Sequence, residues 1–241
     1  VVWTGSPYYT LKDSEGNDYR QYIQGPDNIV PGMEYYRNNG TKTDFNIYGK
    51  VNWMFVRGLN AFADLQYRHV GYKMNGPSDD WNGDTMEQIC FGMKDSFNFF
   101  NPKFGLTWNP AKGHTAYASV AIAHKEPTRN DYEDNIGNDL KAEKLTDWEL
   151  GYKFSSRKFT AGANLYYMSY SDQFVLTGEL NSIGEMIARN VGESYRMGIE
   201  LEAAWQPVDW FRWDANATWS RNRAKDWTVT LDDGTAATLG D

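Results

Sequence analysis

The sequence predicts an all-β chain: an antiparallel, up-and-down transmembrane β-barrel, of which these 241 residues form an incomplete arc of about eight strands. Three observations carry that prediction. Apolar residues recur with period two in segments of about ten residues, the links between segments alternate short and long, and the second face of the segments is polar. Composition agrees. Aromatics make up 16% of the chain, with ten Trp and sixteen Tyr, yet 23% of residues are charged and the mean hydropathy is -0.69. Single apolar residues spaced between polar ones produce that combination. No run of about 18 apolar residues occurs, which excludes a membrane-spanning helix.

Residues 1–42 read as an outside loop with strand remnants, 43–222 as four transmembrane hairpins and 223–241 as the start of a further outside loop. In the first hairpin, 43–55 sets Phe45, Ile47, Val51, Trp53 and Phe55 against Asp44, Asn46, Lys50 and Asn52, and 59–69 sets Leu59, Leu65 and Tyr67 against Asn60, Asp64 and Arg68. In the second, 99–108 aligns Phe100, Phe104, Leu106 and Trp108, and the Ala-rich 114–125 aligns Ala116, Ala118, Val120 and Ile122. The third begins with T-D-W-E-L-G-Y-K-F, where Trp148, Leu150, Tyr152 and Phe154 oppose Asp147, Glu149, Gly151 and Lys153; its second strand, 158–168, carries Phe159, Leu165 and Tyr167. In the fourth, 195–205 opposes Ile199, Leu201 and Trp205 to Glu200 and Glu202, and 211–220 follows with Phe211, Trp213 and Trp219.

The links decide the class. V-R-G, N-P-A-K-G, S-S-R and Q-P-V-D are tight, whereas 71–95, 126–145 and 169–194 read as long polar loops. Outer-membrane barrels segregate turn length in this way, and a soluble two-sheet sandwich, the competing reading, has no reason to. Trp53, Trp108, Trp205, Phe55, Phe159 and Phe211 all lie close to a tight link, as amphipathic rings at a headgroup girdle would. The apolar parity, Trp148 through Phe154 included, is therefore expected to face outer-membrane lipid. Asp147, Glu149, Lys153, Glu200 and Glu202 are expected to line a hydrated lumen, since burying them unpaired would cost several kcal/mol each.

Several functions are excluded. A net charge of -8 leaves no basic stripe for nucleic acid, and a single cysteine, Cys90, allows neither an internal disulfide nor a cysteine zinc site. The start of the chain reads without the pattern of a signal peptide, so the expectation is either a protein that is not exported or an internal piece of a longer one. Three histidines without an H-E-x-x-H, and no G-x-S-x-G or phosphate loop, argue against an enzyme, and no cofactor is expected. Asp80, Asn82, Asp84 and Glu87 offer oxygen ligands in a loop, but their spacing misses the EF-hand, so no metal site is expected.

From Asn138 the chain reads N-D-L-K-A-E-K-L-T-D-W-E-L-G-Y-K-F, which resembles the late barrel of TonB-dependent outer-membrane receptors. Ala142 stands where those receptors commonly have proline. Three further stretches resemble theirs in the same order: F-N-F-F-N-P-K-F-G-L-T-W, L-Y-Y-M-S-Y-S-D-Q-F and N-V-G-E-S-Y-R-M-G-I-E-L-E-A. H-K-E-P-T-R-N-D-Y (124–132) sits where related receptors carry a short K-E-P or R-A-P loop motif. The resemblance implies a barrel of roughly 22 strands, a plug domain coupled to the TonB complex of a bacterial outer membrane, and import of a scarce nutrient. It also implies that this chain is about a third of a receptor, without plug or last strands.

Ligand capture is expected on the outside loops, where convergent polar groups meet. Trp81, Arg129, Tyr132 and Arg189 are the candidates, with loop packing as the alternative role of each. Arginine near aromatics suits an anionic or catecholate-type chelate. A ferric siderophore or similar iron chelate is thus the expected small-molecule partner; cobalamin, haem or glycan import, or a passive porin or structural barrel, are the alternatives.

Overall fold

In the computed structural model the described residues are 8–12, 18–22, 32, 34, 37–81, 87–180, 184–225, 227–230 and 236–239. They form strands β1 (Tyr8–Lys12), β2 (Asp18–Tyr22), β3 (Asn39–Val56), β4 (Leu59–Trp81), β5 (Gln88–Trp108) and β6 (His114–Lys125), then helix α1 (Arg129–Asp134). After it come β7 (Glu143–Ser155), β8 (Phe159–Leu180), β9 (Met186–Val208), β10 (Phe211–Lys225), β11 (Trp227–Thr230) and β12 (Ala236–Leu239). β3 to β10 make one open antiparallel sheet in chain order, so the expected eight-stranded meander is present. β1 with β2, and β11 with β12, form two small separate sheets.

Two compact units divide the chain, 1–44 with 70–96 and 45–69 with 97–241. In the first, the outer parts of β4 and β5 carry the buried residues Val70, Met74 and Phe91. Ser78 is also buried there and donates to the Ile89 carbonyl at 2.8 Å, tying the two strands.

The strands are longer than their hydrophobic alternation predicts. β4 and β5 extend through most of 71–95, and β8 and β9 leave only 181–185 between them where 169–194 reads as loop. A 22-residue strand such as β8 is about twice what a tilted strand needs to cross a bilayer. Beyond that span both faces can meet water, so the ladder continues while the apolar–polar alternation that marks a strand fades.

In the second unit, register aligns the apolar parities across strands. Directly opposite residues of an antiparallel pair share a face, and Leu106, Ala118, Leu150, Leu165 and Ile199 follow one another in this way from β5 to β9. Trp108, Ala116, Tyr152, Ala163 and Leu201 form the adjoining row. Trp148 and Leu150 are 55% and 56% exposed on this face, and Trp53, Trp108, Tyr152 and Trp205 are exposed as well. Phe154 is half-buried, packed beside His114 and Phe159.

The tight links are joined to their neighbours. Asn109 N donates to the Gly58 carbonyl at 2.6 Å, Ser155 N to Gly113 at 2.7 Å and Gln206 N to Lys158 at 2.8 Å. Gly58 and Gly113 have φ of 84° and 83°, a conformation glycine adopts without a Cβ penalty.

Candidate functional site

Two groups of side chains in the second unit have the geometry of a site: the polar face between β6 and β9, and the outer ends of β7, β8 and β9 with the loop that carries α1.

On the polar face, side chains cross strands at glycines. Tyr117, Gly151, Asn164 and Glu200 occupy one cross-strand row on β6, β7, β8 and β9. The Tyr117 ring lies over Gly151 and donates its hydroxyl to Asn164 Oδ1 at 3.0 Å, two strands away; Asn164 Nδ2 donates in turn to Glu200 Oε2 at 3.3 Å. The next row repeats the device. Lys153 reaches across Gly162 to Glu202 Oε1 at 3.0 Å. Ser119 donates to Glu149 at 3.2 Å, whereas Asp147 Oδ1 has no hydrogen-bond partner among the described residues. Asp147, Glu149, Lys153, Glu200 and Glu202 thus share one face, opposite to that of Trp148 and Leu150.

Near the outer end of this face Arg68 grips Glu126 with two bonds, 2.9 and 2.8 Å. Glu126 is buried, and Gln66, Asn101 and His124 form a hydrogen-bonded chain across β4, β5 and β6. Glu126 is the acid of the K-E-P stretch, a signal that was present in the sequence without naming its partner.

The loop 126–142 is ordered from its own residues upward. Thr128 is a helix cap: its hydroxyl accepts from Asp131 N while the Asp131 carboxylate accepts from Thr128 N at 2.6 Å, a reciprocal capping box. Arg129 pairs with Glu133 one turn on, at 2.8 Å. Asn135, 4% exposed, then donates to the Asp131 carbonyl at 2.8 Å and to the Ala188 carbonyl of β9 at 3.0 Å. Helix α1 therefore ends tied to the strand that carries Arg189, which is exposed. Tyr132, the buried residue of α1, is 5% exposed. Trp81 is the last residue of β4, and its side chain lies outside the described residues, as do Asn82 and Asp84.

Three stretches far apart in the sequence converge beside α1. Asn190 Oδ1 accepts from Lys141 N at 2.9 Å, and its Nδ2 donates to the Lys141 carbonyl at 3.1 Å and to the Asp172 carbonyl at 2.6 Å. Lys141 Nζ lies 3.4 Å from Asp172 Oδ1, and Glu143 accepts from Phe174 N at 3.2 Å. Lys141, Asp172 and Asn190 belong to N-D-L-K-A-E, Y-S-D-Q-F and N-V-G-E respectively, so these sequence signatures meet at one place.

The family model for TonB dependent receptor-like β-barrels matches residues 2–240. A pesticin receptor of Yersinia enterocolitica is 28% identical over 199 residues, covering 78% of this chain and 27% of the relative. Among solved structures, the copper transporter OprC is similar with a TM-score of 0.62 at 18% identity, over 76% of this chain and 30% of that one. The ferric yersiniabactin uptake receptor FyuA from Yersinia pestis is similar at 0.59 and 19% identity, over 87% and 30%. At these identities the two structures bear on fold alone. The chain spans about 27% of the length of the curated relatives it matches. With the open eight-stranded sheet and a match over nearly its whole length, the chain belongs to the TonB-dependent receptor-like β-barrel family, whose members are outer-membrane proteins and not enzymes.

Proposed function

We propose that this chain is a barrel portion of a receptor that imports a ferric siderophore or a similar iron chelate. The outer loops capture the chelate, and force transmitted through the TonB complex remodels a plug to let it pass. One observation carries the reading: a capped, tied-down loop bearing Arg129 is joined through Asn135 to the strand bearing Arg189, at the end of the sheet away from the tight links. Guanidinium groups on a firm base suit an anionic chelate, because paired hydrogen bonds need fixed geometry. Tyr132, on the same helix as Arg129, is buried.

The apolar face would meet lipid in this reading. The polar face, with Asp147, Glu149, Lys153, Glu200 and Glu202, would line the hydrated interior. Cobalamin, haem or glycan import, or a passive porin or structural barrel, are the alternatives.

Growth decides between them. Deletion of the full gene is expected to abolish growth on one ferric chelate while leaving growth on ferric citrate intact. Unchanged growth on every ferric chelate tested would overturn the iron reading, and uptake that persists without TonB would leave a passive porin.

A further inference from the structure

We infer that Asn190 is a positioning residue for ligand capture: it fixes the loop 126–142 over the outer ends of β8 and β9, and so fixes Arg129. The inference rests on the import reading and adds a named residue to it.

A carboxamide can pair with a peptide unit as another strand does, its oxygen accepting from N–H and its nitrogen donating to C=O. Asn190 does both to Lys141, two residues before β7 begins. Its second donor proton goes to Asp172, whose φ of 53° turns the backbone of β8 at that point. One side chain on β9 thereby clamps the end of the loop and the bend in β8 together. Asn135 makes the second attachment, to Ala188, two residues before Asn190. The loop is held at both ends of its second half by a segment of three residues.

Aspartate at 190 would keep the acceptor and lose both donors, placing a charge against two carbonyl oxygens. The Lys141–Asp172 ion pair, by contrast, is long and its lysine is exposed, so it contributes little to the clamp.

The test uses the full-length receptor with Cys90→Ser and a nitroxide at Asp139→Cys, an exposed position in the loop. Asn190→Ala and Asn190→Asp are expected to mobilise the label, and Lys141→Ala to leave it as it is. Uptake of a radio-iron ferric tris-catecholate should show a half-saturation concentration raised about tenfold, since only a fraction of loops is then competent. The maximal rate per heat-modifiable, folded receptor should be unchanged, whereas misfolding would lower that rate instead.

A label equally immobile in both Asn190 variants overturns the inference. A mobilised label with unchanged half-saturation overturns its capture part. If the unaltered receptor takes up no iron chelate, the import reading fails, and the label still reports whether Asn190 holds the loop.

Discussion

The ring of Tyr117 crosses strand β7 at Gly151 and hydrogen-bonds Asn164 on β8 at 3.0 Å. Tyr117 and Gly151 are directly opposed, and any Cβ at 151 would clash with the hydroxyl end of the ring. Gly151→Ala must expel the ring and break the bond to Asn164, so a loss of about 2 kcal/mol is expected. Urea midpoints of the refolded full-length receptor measure it. Tyr117→Ala should remove most of the penalty, so the double variant will be clearly non-additive; additive losses would mean the two residues do not meet.

Gly162 offers a contrast. A Cβ there would come within 2.8 Å of Glu202 Oε1, the far end of a flexible and exposed side chain. Gly162→Ala should therefore cost well under what Gly151→Ala does. Breaking the tie itself by Lys153→Ala should shift stability by roughly 0.5 kcal/mol, because both partners are half-exposed. Equal losses at Gly151 and Gly162 in the same urea series would contradict this.

Arg68 and Glu126 should behave as a largely buried pair. Arg68→Ala leaves the Glu126 carboxylate under the sheet's outer end without its guanidinium, at a cost of roughly 2–3 kcal/mol. Replacing both by leucine should restore much of that loss. A double variant as unstable as the single one would show that further contacts of the pair matter more than charge compensation.

The two faces of β7 and β8 should respond oppositely to charge. Leu150→Arg places a cation in the apolar row and should cost about 2–4 kcal/mol for folding into lipid vesicles. Asn164→Arg, in the neighbouring position on the polar face beside Glu200, should cost far less. If both arginines are tolerated alike in vesicles, the apolar face is not the lipid face.

Much of this architecture is legible in the sequence, because strand parity is a local property. Trp148, Leu150 and Tyr152 announce their common face without reference to any other strand, and the glycines and prolines of the tight links mark where each hairpin turns. The outer extensions of β4, β5, β8 and β9 were not legible as strands. There the ladder continues through residues such as Ser169 to Gln173, whose polarity carries no period-two contrast. The same holds for the candidate site. Arg129 and Arg189 could be named as residue types suited to anions, but Tyr132 turns out to be buried, and Asn135 and Asn190 had no sequence mark that they tie the loop down.

By itself the sequence determined the fold class, the two faces and the family signatures, since side-chain alternation and turn chemistry act between residues that are near neighbours in the chain. Only the tertiary structure decided that Tyr117 passes over Gly151 to Asn164, that Lys153 passes over Gly162 to Glu202, and that Asn190 holds Lys141 and Asp172. Those relationships depend on register between residues 18 to 49 positions apart in the chain. A slip of one residue would put each partner on the opposite face while leaving every local pattern unchanged.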